Sequence, residues 1–347
     1  MRVKPWPVNL RAWVGLLGVL AALAAIGVLY NALAIRHYRV LYPAPGKLYR
    51  VNDKLMHLYC TGEGSPTIVL EAGLGNDSLI WVKVQRPLSK TTRVCSYDRV
   101  GVGWSEVQEG GRNSNSVAGR LHALLSEAGV RGPLVLVGHS IGGLHIRAYA
   151  SRFPDEVAGL VLVDSSTPLE ATNVPAEVRA LRHDADRDIA MRKWRTALGI
   201  ARLMGECSRV QPGFEPYAAW LKADSCIPSQ FDAILAEAAA SEASGEETLG
   251  TGPFDDLPVL IVSSDLSLSP PGSPLSAELF KRMASVREAG QEDLKKLSAR
   301  SRRIIAEGSR HYVQIDRADL LNREVVRFID EVRTHTTSSK NGTTETE

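Results

Sequence analysis

The stretch Leu134-Val135-Leu136-Val137-Gly138-His139-Ser140-Ile141-Gly142-Gly143 decides how this chain is read. Its first four residues form a continuous apolar run, the pattern of a strand covered on both faces. From Leu144 to Phe153 the spacing is helical. Between the two lies G-x-S-x-G, with a glycine two residues before and two after Ser140. A hydroxyl displayed on a tight strand-to-helix turn needs Gly138 and Gly142, because a Cβ at either would crowd the bend. The helix that follows supplies free N–H groups and the positive end of a dipole. Glycine-rich turns of this kind also bind phosphate. Here the P-loop Lys-Ser/Thr and the G-x-G-x-x-G spacing are both absent.

On either side, short apolar runs alternate with helical stretches. Strands are expected at 56–60, 67–71, 93–97, 133–138, 160–164, 258–263 and 303–306, and helices at 77–89, 114–128, 141–153 and 322–332. Leu160-Val161-Leu162-Val163 and Val259-Leu260-Ile261-Val262 repeat the doubly buried pattern, so the class is α/β with a mostly parallel central sheet flanked by helices. The alternation breaks at about 165–256, which is rich in Ala, Arg, Glu and Leu and reads as a helical insertion. Residues 334–347 are Thr/Ser-rich and almost free of apolar side chains, so a disordered tail is expected there.

With 347 residues, 44% hydrophobic and 23% charged, the chain is long enough for a large core and is neither collagen-like nor wholly disordered. A net charge of +2 does not favour nucleic acid as a partner. The four cysteines stand too far apart for a CxxC metal or redox site. Behind a basic flank at 1–11, Ala12 to Ile35 is free of charge. As a helix it reaches about 36 Å, enough to cross a hydrocarbon core of about 30 Å. A transmembrane anchor is therefore expected at 12–35, followed by a linker at 36–47. The alternative is a secretory signal cleaved near Ala32-Leu33-Ala34, against which the apolar stretch is long. Arg2, Lys4 and Arg11 before the span are matched by Arg36, Arg39, Lys47 and Arg50 after it, which leaves its orientation open.

Over residues 48–333 the chain resembles the α/β-hydrolase superfamily. Besides the serine motif, Thr67 to Gly75 is similar to that family's strand and oxyanion loop, with Glu71-Ala72 where its histidine usually stands. Asp98-Arg99-Val100-Gly101-Val102-Gly103-Trp104-Ser105 looks like its Asp-x-x-Gly-x-Gly-x-Ser loop. The resemblance implies Ser140 as nucleophile and a histidine base that comes last in chain order. His311, in Gly308-Ser309-Arg310-His311, matches that position. His139, beside the serine, is expected to pack structurally. For the acid, Asp164 ends one apolar strand and Asp265 follows another; the family uses either place, and both stay open, with Asp164 preferred. The oxyanion hole would combine the N–H groups of Leu74 and Ile141. Asp98 and Arg99 are expected to fix their loop as an ion pair.

The resemblance further implies that 165–256 is a lid. Its Leu181, Trp194, Leu198, Leu203, Phe214, Tyr217 and Trp220 either line an acyl pocket or form the lid's own core. Family sheet order sets the strands of Cys60 and Cys95 side by side, and Cys207 and Cys226 share the lid. Two disulfides and an extracytoplasmic domain, or four buried thiols, follow. The expected activity is acyl-ester hydrolysis through an acyl-enzyme, on a small-molecule and lipid-like substrate, with no metal or organic cofactor. Amide, thioester or peptide hydrolysis on the same residues, and a catalytically silent binding module, are the alternatives. The sequence is silent on oligomeric state.

Overall fold

The computed structural model describes residues 10–173, 175–268 and 275–342. The chain divides into two compact units. One comprises the residues up to Ala44 with Arg187–Phe231; the other comprises Pro45–Asp186 with Asp232 onward.

The second unit is built on a sheet of strands β1 (Lys47–Val51), β2 (Lys54–Thr61), β3 (Thr67–Glu71), β4 (Val94–Tyr97), β5 (Leu134–His139), β6 (Val157–Val163), β7 (Val259–Ser264) and β8 (Ser301–Ala306). Among the described residues these form one 8-stranded sheet in the order β1-β2-β4-β3-β5-β6-β7-β8. The pairs β1–β2 and β2–β4 are antiparallel, and the rest of the sheet is parallel.

Helices α1 (Leu10–Leu41), α2 (Val82–Leu88), α3 (Ser114–Glu127) and α4 (Ile141–Arg152) precede β6. Helices α5 (Pro168–Asn173), α6 (Ala176–Ala197), α7 (Ile200–Leu203), α8 (Ala218–Asp224), α9 (Pro228–Ala239) and α10 (Ser241–Glu247) fill the insertion between β6 and β7, helical as expected. Then come α11 (Ala277–Asp293), α12 (Val313–Asp316) and α13 (Ala318–Gly342).

Side chains that alternate along the central strands enter two separate cores, one on each face of the sheet. Val69, Leu136, Leu160, Leu162 and Ile261 pack with Leu121 and Leu124 of α3 and Ile146 and Tyr149 of α4. Ile68, Leu70, Val135, Val137, Val161 and Val262 pack with Val84 and Leu88 of α2 and Val325, Phe328 and Ile329 of α13. Double coverage is why the runs at 134–137 and 160–163 are apolar without interruption.

Three local expectations differ from the structure. β1 has no counterpart among the expected strands, because Lys-Leu-Tyr-Arg-Val mixes exposed charge with apolar residues. It pairs with β2 through a two-residue turn in which Asn52 and Asp53 have φ of 49° and 62°, the conformation of a tight hairpin. Helix α11 was not anticipated. The polar stretch from Thr334 is helical through Gly342 rather than disordered, since it continues a helix already anchored by Leu321, Val325, Phe328, Ile329 and Val332, and extending a formed helix costs little. Residues 343–347 and most of the basic flank at 1–11 lie outside the described residues.

Both pairs of cysteines are disulfides, Cys60–Cys95 across β2 and β4 and Cys207–Cys226 within the insertion. Cys60 and Cys95 stand directly opposite each other in the antiparallel register. In the first unit, the span Arg11–Leu41 of α1 contains an 18-residue window with a mean hydropathy of 2.4, and none of that window is buried.

Candidate active site

Ser140 sits where β5 ends and α4 begins, with φ 55° and ψ −126°. A non-glycine residue is strained there, and the surroundings must hold it. Its N–H donates to Val163 O (3.1 Å), and its carbonyl accepts from Gly143 N (3.0 Å) and Ser166 N (2.9 Å). The two motif glycines have steric causes. A Cβ on Gly138 would stand 2.5 Å from Gly142 O, and one on Gly142 would stand 2.7 Å from the carbonyl oxygens of Glu71 and Ala72.

Ser140 Oγ lies 3.0 Å from His311 Nε2. His311 Nδ1 lies 2.6 Å from Asp164 Oδ2. Asp164 caps β6 as a buried residue with φ 40°. Its Oδ1 accepts from Ser264 N (3.1 Å) and Ser264 Oγ (2.8 Å), so β7 orients the carboxylate that β6 carries. Burial alone would raise its pKa. The hydrogen bond to His311 and the charge of Arg287 outweigh that, and the carboxyl is held well below the usual carboxylate range. Asp265 is not part of this cluster: its exposed carboxylate folds back onto Ser267 N and Oγ and accepts from Gly308 N. Asp265 instead pins the loop that leads to His311.

Of the two residues expected to supply oxyanion donors, Ile141 opens α4 directly after Ser140. Leu74 follows Gly73, whose added Cβ would stand 3.2 Å from Ser140 Cβ, so its loop crosses close over the serine. Arg99 holds that loop by donating to Ala72 O (2.8 Å) and Gly73 O (2.7 Å), and Glu237 of α9 accepts from Gly75 N (3.0 Å).

Two further groups border the site, Arg287 and His139. Arg287 of α11 donates to Asp164 Oδ2 at 2.7 Å and stands 3.5 Å from His311 Nδ1. No motif marks it, because an arginine on a helix reads as a solvated surface charge. His139 is buried and its Nε2 donates to the His311 carbonyl (2.9 Å). Burial, with the nearby His311 charge, lowers its pKa to about 3, so it is neutral. The expected packing role of His139 therefore includes a direct hold on the loop of His311.

The expected Asp98–Arg99 pair is not formed. Asp98 faces His57 Nδ1 at 2.8 Å and accepts from Ser78 N and Trp104 N, while Arg99 bonds Glu71 (2.7 Å) and Glu237 (2.7 and 2.9 Å). Neighbours along the chain at a bend point apart, and each finds its own partners. Glu71, where the family's histidine usually stands, also accepts from Tyr97 OH and faces His145.

A family model described as the alpha/beta hydrolase fold matches residues 66–193. An uncharacterized protein of Schizosaccharomyces pombe is 28% identical over 275 residues, covering 68% of this chain and 49% of that protein. An uncharacterized vacuolar membrane protein of Saccharomyces cerevisiae is 35% identical over 104 residues, 29% of this chain and 16% of its own length. The chain thus spans half or less of these curated relatives. The crystal structure of an enol-lactonase from Burkholderia xenovorans LB400 superposes with a TM-score of 0.57 at 21% identity, over 82% of this chain and all (100%) of that one. The family match begins just before β3 and runs through the serine turn to Asp164 and beyond, the part of the sheet on which the cluster is built, and the chain has the α/β-hydrolase fold.

Proposed function

We propose that this protein is a serine hydrolase of carboxylic esters, held at a membrane by α1. One observation carries the reading: the continuous contact Ser140 Oγ to His311 Nε2 (3.0 Å) and His311 Nδ1 to Asp164 Oδ2 (2.6 Å). A serine hydroxyl is a weak nucleophile until a base within hydrogen-bond reach takes its proton. In this reading Ser140 Oγ attacks the acyl carbonyl as its proton passes to His311 Nε2. Asp164 fixes the ring through Nδ1–H and stabilises the imidazolium. The carbonyl oxygen becomes an anion and is met by the N–H groups of Ile141 and Leu74. His311 then returns the proton to the leaving alcohol. Water, deprotonated by the same nitrogen, releases the acid from Ser140.

The charge-free stretch of α1 supports the anchor, and its apolar side chains from Trp13 to Leu33 are largely exposed in the structure. Two disulfides support an extracytoplasmic location of the hydrolase domain. The test is the hydrolysis of p-nitrophenyl butyrate by the detergent-solubilised full chain and by Ser140→Ala. The reading expects turnover that the variant lacks. Equal turnover by both would overturn it.

A further inference from the structure

The insertion does more in this chain than join β6 to β7. Within the first compact unit it packs onto α1 at close range. A Cβ on Gly27 would stand 2.2 Å from Leu198 O, and one on Gly199 would stand 2.7 Å from Gly27 O. Two glycines thus meet where helix and insertion cross. One turn on, Asn31 is buried, its amide donates to Cys226 O (3.3 Å), and its Oδ1 accepts from Arg202 Nε (2.9 Å). Nearer the end of the helix, Arg39 pairs with Asp224 at 3.6 Å, and Tyr38 lies under the charges of Lys222 and Arg202.

The depth of these contacts decides what surrounds them. Gly27 precedes Ile35, the last residue of the charge-free stretch, by eight positions. On a helix this is about 12 Å. The crossing therefore falls inside the apolar span and not beyond its end. Asn31, the strongest hydrogen-bonding side chain in that span, finds its partners on the insertion, as a polar group in hydrocarbon must.

Around the crossing the insertion is apolar toward the outside. Leu203 is 73% exposed, Met191 64%, Met204 63% and Trp194 61%. Trp194 and Leu203, two of the residues weighed as pocket or lid core, are thus surface residues. Charges beside them are arranged as at a membrane interface. Arg195 is bridged to Glu206 at 2.5 Å, and the Lys193 ammonium lies 5.9 Å from the Trp194 ring centre. Tryptophan and long cationic side chains are favoured at the level of lipid headgroups.

We propose that residues 191–204 of the insertion form a second, monotopic membrane contact, seated in the same leaflet that α1 crosses at Gly27. The inference rests on the reading of α1 as a spanning helix. The occupant is the bilayer itself, because a face continuous with a membrane span at that depth meets lipid. For a hydrolase it follows that part of the lid is held by the membrane and not by water.

The test uses the full chain in phosphatidylcholine vesicles, with a nitroxide placed at Leu203→Cys, Met191→Cys, Leu20→Cys or Lys296→Cys while the native disulfides stay oxidised. Collision with oxygen, which concentrates in lipid, is compared with collision with a water-soluble nickel chelate. At Leu203 and Met191 the oxygen-to-nickel ratio is expected to match that at Leu20 on α1, several-fold above that at Lys296. Water-like ratios at Leu203 and Met191 with a lipid-like ratio at Leu20 overturn the contact and leave the anchor standing. A water-like ratio at Leu20 overturns the anchor, and this inference with it.

Discussion

Arg287 donates to Asp164 Oδ2 at 2.7 Å, the oxygen that also lies 2.6 Å from His311 Nδ1. One carboxylate oxygen therefore serves a permanent cation and the ring that becomes a cation during the proposed reaction. Burial opposes the charge on Arg287, but Asp164 and then Glu170 outweigh it, and its pKa is raised. The guanidinium stays charged, and it draws on the same negative charge that would stabilise an imidazolium at His311.

Arg287→Met should lower kcat/KM at pH 7 by on the order of tenfold, about 1.4 kcal/mol, because Asp164 Oδ2 loses a charged donor that fixes it beside His311. Arg287→Lys, which keeps a cation there, should recover part of that loss. Wild-type kcat/KM in Arg287→Met would show that Arg287 has no part in holding the carboxylate.

The acid is tested by comparing two variants. Asp164→Asn should lower kcat by on the order of 10³–10⁴-fold, the scale known for loss of the carboxylate that orients a triad histidine. Asp265→Asn should stay within a few-fold, because its carboxylate bonds Ser267 and Gly308 and not His311. Matching losses from both would contradict the assignment of Asp164.

Beneath the serine turn, Arg99 pairs with both Glu71 and Glu237, all three buried. Burial tends to raise both carboxyl pKa values. For Glu71 the His145 hydrogen bond and the Arg99 charge prevail, for Glu237 the Arg99 charge and hydrogen bond, and both end below the usual 4.5. A carboxyl with a depressed folded pKa stabilises the fold above its unfolded pKa. That stability is lost as pH falls through the folded value. The native protein should therefore lose stability below about pH 4.5. Arg99→Met should cost about 3–5 kcal/mol at pH 7 by stranding two buried carboxylates. Mild acidification should restore part of that loss. Urea midpoints at pH 7, 5.5 and 4 check both signs; a variant that only weakens further between pH 7 and 5.5 contradicts the account.

The disulfides are checked by counting thiols in denatured, non-reduced protein from an oxidising compartment, where no free thiol is expected and four would reject both bonds. Loss of Cys207–Cys226, which closes a loop with a sequence separation of 19, should cost about 3 kcal/mol by restoring entropy to the unfolded chain. The Cys207→Ser/Cys226→Ser double variant, measured by urea unfolding, reads that cost. A midpoint equal to that of the native protein would contradict it.

How far the sequence could be read followed from the range of the interactions involved. The path from β5 through Ser140 to α4 was legible because doubly buried strands and glycine-dependent turns leave local patterns. Ser140 and His311 could be named from short motifs, but the choice between Asp164 and Asp265 depended on which strand end reaches the histidine. Both follow apolar runs, and only three-dimensional placement separates them. Arg287 and the Glu71–Arg99–Glu237 cluster were illegible for the same reason. Their partners lie 123, 28 and 138 positions away along the chain, and a paired buried charge looks in sequence like a solvated one. β1 was missed because an edge strand carries charge, and its hairpin turn is Asn-Asp without the glycine that usually marks one.

The central claim is that Ser140 is an activated nucleophile. The most direct test is to treat the folded, detergent-solubilised protein with a fluorophosphonate probe and map the modified peptide by mass spectrometry. The account predicts a single adduct on Ser140 that is lost in His311→Ala. Folded protein that leaves Ser140 unmodified would contradict it.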